Sequence, residues 1–409
     1  MKTPRLSLII GICTLLYIMS YFHRVTPTIL STDLMADFHI SPVELGVFSS
    51  ATLLAYGVMQ LPSGMLTDLL GGRLVLMGLS LATGLGTLWF AGSHNLENAF
   101  LSRFLTGAGA AVTVPIVAVL AQWCPPRLFV RVSSFIFGTA GLGGILAAPP
   151  LHVLNEYFGW RSTMGGFGVF SACLALVVLC CIPRNSPQGT EEKNLTPAGL
   201  LKAVRIVLTS RMFWTLGIWY MMVCGASFCM STLWWGPYLM QGLGMDRLTA
   251  SGVVSAISIG VMTAFFTLGA AAGSLIKNLK AALIVCTALV CIALLLLVVG
   301  SGHLPTSVVA VSAAVFTGCS SAIGPITYSF MKDGYPPAMA GTAVGIVNMT
   351  YPIWSSLLQY AYGNIVAAGP SSLLPAGAHD LALGFILLNC CAAFFFLILF
   401  LRGGKNAHL

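Results

Sequence analysis

The sequence predicts an all-α integral membrane protein, with twelve transmembrane helices in two pseudo-symmetric six-helix halves. Three observations carry this. Of 409 residues, 57% are hydrophobic and only 7% are charged, against about 25% charged in a soluble domain. The mean hydropathy is +0.92. Runs of roughly 20 mainly apolar residues, the length that crosses a bilayer, recur from one end of the chain to the other.

Twelve runs qualify as spans: residues 6–30, 45–67, 74–92, 99–123, 132–154, 162–183, 212–244, 248–276, 281–302, 306–331, 336–365 and 381–401. The first follows a basic start, MKTPR, as a signal peptide would. It is too long for one and reads as an uncleaved first span. The second has a clear N-terminus, with Ser41 as cap, Pro42 in the first turn and Glu44 three residues after the cap. Cys124-Pro125-Pro126-Arg127 separates spans four and five. A polar connection, residues 184–211, follows span six; its second part, 196–208, has the pattern of a short amphipathic helix on the membrane surface. The chain thus divides into an N-terminal half, 1–183, a cytoplasmic linker, 184–211, and a C-terminal half, 212–409. A shift of about 205 residues lays Leu34-Met35 over Leu239-Met240 and Gly64 over Gly269, a faint trace of duplication.

Charge sets the expected orientation. Fifteen of the 19 Lys and Arg residues fall on the side of the termini, and only Arg161 and Arg247 on the other. This asymmetry puts both termini in the cytoplasm. The net charge of +8 is spread over short loops, so it is not a nucleic-acid footprint. The 12 cysteines lie nearly all within apolar runs and show no metal-binding spacing, so they read as small buried hydrophobes. Seven scattered histidines give no metal or catalytic cluster, and no nucleotide-binding loop is present. The expectation is a transporter rather than an enzyme, with no cofactor and no metal.

Two local motifs then carry a resemblance. Residues 64–73 read GMLTDLLGGR. Gly64, Leu66, Asp68, Gly71 and Arg73 resemble the signature loop of the major facilitator superfamily, while Leu69 and Gly72 replace two of its usual basic residues. The resemblance implies that Asp68, against a helix N-terminus or a loop arginine such as Arg131, latches the cytoplasmic side in an outward-open state. In span four, Arg103, Gly107 and Ala111 resemble the superfamily's second motif, with Thr106 in place of an amide. Gly107 and Ala111 form a small-residue packing face. The resemblance gives Arg103 a structural or a proton-coupling role. Gly159-Trp160-Arg161 matches a common superfamily entry to span six. The glycines of span five, Gly138, Gly141, Gly143 and Gly144, only loosely resemble the exporters' glycine-proline motif. Asp68's counterpart in the second half is Gly273. The fold implied is the major facilitator fold, with a central site reached by alternating access.

Helical spacing nominates the lining of that site. Tyr17, Tyr21, Arg24 and Thr28 share one face of span one, and Ser49, Thr52, Tyr56 and Ser63, with Gln60 nearby, one face of span two. Span ten offers Thr317, Ser321, Gly324 and Tyr328; span eleven offers Asn348, Ser355, Gln359 and Tyr362, flanked by Tyr351 and Trp354. Trp234, Trp235 and Tyr238 read instead as interfacial anchors. Arg24 is always charged, and holding it inside a bilayer costs from about 2.5 to more than 10 kcal/mol. It either faces the cavity or snorkels to the outer interface. All 11 acids fall in loops or at helix ends, so the intramembrane charges, Arg24 and Arg103, are both positive. A cationic centre attracts anions.

The stretch Tyr21-Phe22-His23-Arg24 also resembles organic-anion symporters and sugar-phosphate antiporters of the superfamily, which hold their anion with an arginine late in helix one. His23 stands where many anion symporters have an aspartate, which makes it the candidate coupling residue. The expectation is a secondary active or facilitative carrier of a small organic anion. Arg24, Tyr21, Tyr17, Tyr56, Asn348 and Tyr351 would bind the substrate; Gly64, Asp68, Gly71, Arg73, Arg103, Gly107 and Arg131 would serve gating and structure. An amino-acid carrier and a multidrug exporter are the alternatives. Expected partners are the solute, the lipid bilayer and a co-transported proton, with no nucleic acid, in a monomer of the bacterial inner membrane.

Overall fold

A computed structural model describes residues 3–183, 197–271, 279–335, 337–369 and 377–403. Among the described residues every regular element is a helix. In the first half, α1 (Thr3–Val25) continues past Thr26 as α2 (Pro27–Phe38). Then come α3 (Pro42–Leu70), α4 (Gly72–Ala91), α5 (Leu96–Gly109) and α6 (Thr113–Trp123). The series continues with α7 (Pro126–Gly138), α8 (Ala140–Leu146) and α9 (Pro149–Cys181). The linker helix α10 (Pro197–Thr209) follows, with Ala203 and Val207 buried.

The second half opens with α11 (Arg211–Cys229), which runs into two π-helical stretches, Met230–Trp234 and Tyr238–Gly242, around the single turn α12 (Trp235–Pro237). The rest is α13 (Arg247–Ala271), α14 (Leu279–Val299), α15 (Thr306–Asp333), α16 (Pro337–Ala368) and α17 (Ala378–Gly403).

Among the described residues, ten stretches are long and apolar enough to span a membrane. One of these, Arg131–Cys181, has 51 residues. At ~1.5 Å per residue that is more than twice the ~30 Å hydrocarbon core. Gly159, at φ 73°, ψ 156°, divides it. Such a conformation suits only glycine, and it turns the chain back into a sixth crossing. The twelfth is α16, whose buried polar residues include Asn348, Ser355, Ser356 and Gln359. The capping box at Ser41 is present: Ser41 Oγ accepts from Glu44 N, and Ser41 N donates to Glu44 Oε2 at 2.8 Å.

The anchor reading of Trp234, Trp235 and Tyr238 is corrected by the structure. All three are fully buried. Trp234 Nε1 donates to the Gln359 carbonyl at 3.2 Å, and Trp235 Nε1 to Thr317 Oγ1 at 3.4 Å. The π-helical register carries these residues into the protein interior instead of leaving them at the lipid boundary. The segment 184–196, the Gly273 loop and the side chain of Asp68 lie outside the described residues.

The halves meet along α3 and α16, along α7 and α8 against α13, and where α2 crosses the π-helical segment. Toward the face opposite the termini the contact is closest. A Cβ on Gly236 would lie 1.6 Å from the Thr28 carbonyl oxygen, so only glycine fits. Thr28 Oγ1 donates to the Ser231 carbonyl at 2.9 Å. Arg247, at the start of α13, forms an ion pair with Asp33 of α2, and its Nη2 also donates to the Ile29 carbonyl at 2.9 Å. Asn155 Nδ2 donates to the same carboxylate at 2.8 Å. Just before α13, Asp246 caps it: its carboxylate accepts from the Thr249 hydroxyl and N–H, which hold the acid below its usual range.

This geometry sets a stability test. Gly236→Ala forces a methyl into the Thr28 carbonyl and is expected to cost about 1–3 kcal/mol, read as a lower Tm of the purified protein. Gly345→Ala, where an added Cβ meets nothing within 4 Å, is expected to leave Tm unchanged or slightly raised.

Candidate functional site

Arg24 lies two residues before the break at Thr26 and is 2% exposed. Its Nε donates to the Ser20 carbonyl at 3.0 Å, one turn back. Among the described residues the guanidinium makes no other hydrogen bond and has no carboxylate within ion-pair distance. The guanidinium lies over rings instead. Cζ is 4.3 Å from the centroid of Tyr56, 5.1 Å from Tyr21 and 5.6 Å from Phe228. Desolvated cation–π contacts contribute about 2 kcal/mol. The residue is thus held by α1, α3 and α11, that is, by both halves.

The rings continue beyond it. Phe228 packs on Tyr351 at 4.6 Å between centroids, Tyr351 on Tyr220 at 5.7 Å, and Tyr220 on Tyr328 at 6.0 Å. The Tyr220 and Tyr328 hydroxyls hydrogen-bond at 2.9 Å, and Tyr328 OH donates to Asn348 Oδ1. Tyr17, half-buried, packs at a tilt against Phe137 at 5.3 Å between centroids, one turn from Tyr21 toward the chain start. Tyr56 OH and Thr113 Oγ1 lie 3.3 Å apart. The structure therefore gathers Tyr17, Tyr21, Arg24 and Tyr56 from the first half with Asn348 and Tyr351 from the second. It adds Phe228 and Tyr220, which sequence reasoning missed. Tyr220, Cys224 and Phe228 recur at i, i+4 and i+8 on one face of α11, a pattern that would have found them.

His23 faces elsewhere. Fully buried, it bonds through Nε2 with Ser171 Oγ of α9 at 2.9 Å and through Nδ1 with Thr87 Oγ1 of α4 at 3.4 Å. Arg103 Nη2 donates to the His23 carbonyl at 2.9 Å, and its guanidinium carbon lies 5.6 Å from the Phe90 ring and 5.9 Å from Phe48. Arg103 thus ties α5 to α1 inside the first half. Beside it, a Cβ on Gly107 would fall 2.1 Å from the Thr52 carbonyl, the close approach of α5 to α3.

The signature loop is built locally. A Cβ on Gly64 would touch Val114 at 3.3 Å, and Gly71 takes φ 83° between α3 and α4. Arg73 Nη2 donates to the Leu179 carbonyl near the end of α9. Arg131 is exposed at the start of its span.

A twelve-helix, two-lobed membrane fold with residues of both lobes converging on a central cation defines the class as a membrane carrier. The chain matches the Major Facilitator Superfamily profile over residues 10–358 and belongs to that family. It is 24% identical over 275 residues to the 3-(3-hydroxy-phenyl)propionate transporter of Escherichia coli, a match covering 66% of each chain, just under two thirds. It is 24% identical over 415 residues to the "Probable galactarate/D-glucarate transporter" of the same organism, covering 90% of both. In fold it is similar to a bacterial homologue of the human lysosomal transporter Spinster, in an inward-facing occupied conformation. That match has TM-score 0.74 and 16% identity, and covers 98% of each chain.

The two buried arginines make a contrasting pair. Arg103→Met removes a charged hydrogen bond of about 1.5–3 kcal/mol and is expected to lower Tm. Arg24→Met gives up only a bond to its own helix and relieves a buried cation with no acid partner among the described residues, so it is expected to lower Tm by less than Arg103→Met. Thermal unfolding of both variants in detergent checks the contrast.

Proposed function

We propose that the chain carries a small organic anion across the membrane by alternating access, and that Arg24 anchors the anion. The observation that carries this reading is the Arg24 guanidinium, buried between both halves with no carboxylate beside it among the described residues. A negative group entering the site supplies the missing partner, and bidentate arginine–carboxylate pairing makes that contact strong. Two of the relatives, named for a hydroxyphenylpropionate and for galactarate/D-glucarate, are named for organic anions. The cage offers an ammonium group no carboxylate, which speaks against an amino-acid carrier or a cation exporter.

The rest of the reading follows from charge. The empty site holds an uncompensated cation at the contact between the halves, and the loaded site is neutral. Loaded halves therefore part and re-close at lower electrostatic cost than empty ones, which favours exchange of one anion for another. The only charged group bonded to the His23 residue, among those described, is Arg103. We accordingly read His23 as the residue that holds α1 against α4 and α9. With both termini cytoplasmic, as the Lys and Arg distribution indicates, the Asp33–Arg247 pair closes the outer face of a monomer in the bacterial inner membrane.

Proteoliposome exchange tests this. Arg24→Gln is expected to lose at least tenfold in anion counterflow, whereas His23→Gln, which keeps hydrogen bonds to Ser171 and Thr87 within reach, is expected to keep the wild-type pH profile. Arg247→Asp alone is expected to impair counterflow, and the swap Asp33→Arg with Arg247→Asp to restore a substantial part of it. A full-rate Arg24→Gln variant would refute the anchor.

A further inference from the structure

We infer that the anion is an aryl monocarboxylate: one carboxylate on a flat aromatic body. This rests on the reading of Arg24 as the anion anchor and adds what the rest of the site selects.

The guanidinium is the first constraint. Its carbon lies over the Tyr56, Tyr21 and Phe228 rings at 4.3, 5.1 and 5.6 Å. A guanidinium is planar and directs all its N–H bonds into that plane. Nε is already committed to the Ser20 carbonyl at 3.0 Å. The terminal nitrogens remain, and they make a fork for a single carboxylate.

The second constraint is the number of cations. Arg103 is the other intramembrane positive charge, and it is engaged with the His23 carbonyl at 2.9 Å, inside the first half. A dicarboxylate would bring a second negative charge into this enclosure with no second cation to meet it among the described residues. An unpaired buried charge is penalised by several kcal/mol.

The third constraint is the wall. Beyond Arg24 it is Phe228, Tyr351 and Tyr220, in tilted and then edge-on contact at 4.6 and 5.7 Å between centroids. Within it the Tyr220 hydroxyl is taken by that of Tyr328, which in turn donates to Asn348. A polyhydroxylated chain would meet mainly ring surface along this wall, at about 1–3 kcal/mol for each hydroxyl left unpaired. An arene brings a face and an edge, and aromatic pairs gain about 0.5–1.5 kcal/mol beyond their buried area.

Thermal stabilisation of the purified full-length protein, titrated with benzoate, 3-phenylpropionate, cyclohexanecarboxylate and D-glucarate, decides the matter. The expected result is half-maximal stabilisation by benzoate or 3-phenylpropionate at concentrations at least tenfold below those of cyclohexanecarboxylate and D-glucarate. Phe228→Leu is expected to erase the preference for the arene over its saturated ring while binding of both carboxylates persists. If D-glucarate or cyclohexanecarboxylate binds as well as benzoate, the aryl inference fails and the anion anchor stands. If no anion stabilises the wild type, both fail. The wild-type titration decides even if the Phe228 variant does not fold.

Discussion

Arg24 holds a permanent charge inside a membrane protein with no acid beside it among the described residues, and much of the surrounding architecture answers that condition. Three ring faces and one backbone carbonyl replace water around the guanidinium. Two of the rings, Tyr21 and Tyr56, belong to the first half, and the third, Phe228, to the second. The cation therefore has all three ring contacts only while the halves are together at this level. Any movement that parts them uncovers one face of the guanidinium, so the site and the seam are a single electrostatic unit.

The seam itself depends on irregular helix. In a π-helical turn the backbone bonds shift to i→i+5, which widens the helix and re-aims its groups. Around Met230–Trp234 this has visible consequences. The Ser231 carbonyl accepts from Thr28 across the halves, Gln359 Nε2 donates to Thr232 Oγ1 at 2.8 Å, and Trp234 donates back to the Gln359 carbonyl. Gly236 then lets α2 approach to backbone contact. Among the described residues, this end of the molecule joins the halves through short polar contacts and the Asp33–Arg247 ion pair, beside the buried apolar residues of α2 and the π-helical segment.

Much of this was legible in the sequence because lipid imposes a simple rule. Backbone polar groups must pair within the span, so apolar run length reports crossings, and positions such as Ser41-Pro42-Glu44 mark their starts. The stripe Tyr17, Tyr21, Arg24 was legible for the same reason, since helical spacing survives in the fold. What was not legible depends on pairings across sequence distance. Asp33 and Arg247 each read as an ordinary loop charge until α2 and α13 are brought together. Trp234, Trp235 and Tyr238 read as interfacial anchors because they are aromatics near the end of a span, whereas the fold packs them in its interior. Phe228 and Tyr220 were passed over because an aromatic in an apolar span carries no mark of its own; only the cation opposite Phe228 gives that ring a role.

The two intramembrane arginines looked equivalent in the sequence, and the difference between them is a difference of partners. Arg103 has a backbone carbonyl on a neighbouring helix, and both donor and acceptor belong to one half, so its environment need not change when the halves move. Among the described residues, Arg24 meets the carbonyl of its own helix and rings drawn from both halves. A π-face satisfies the charge but leaves the terminal N–H groups, which lie in the plane, without an acceptor. This is a stable arrangement for a cation and an incomplete one for a hydrogen-bond donor, and the deficit is one carboxylate wide. On the proposed reading that deficit is what an anion fills, and a neutral residue at position 24 would remove it.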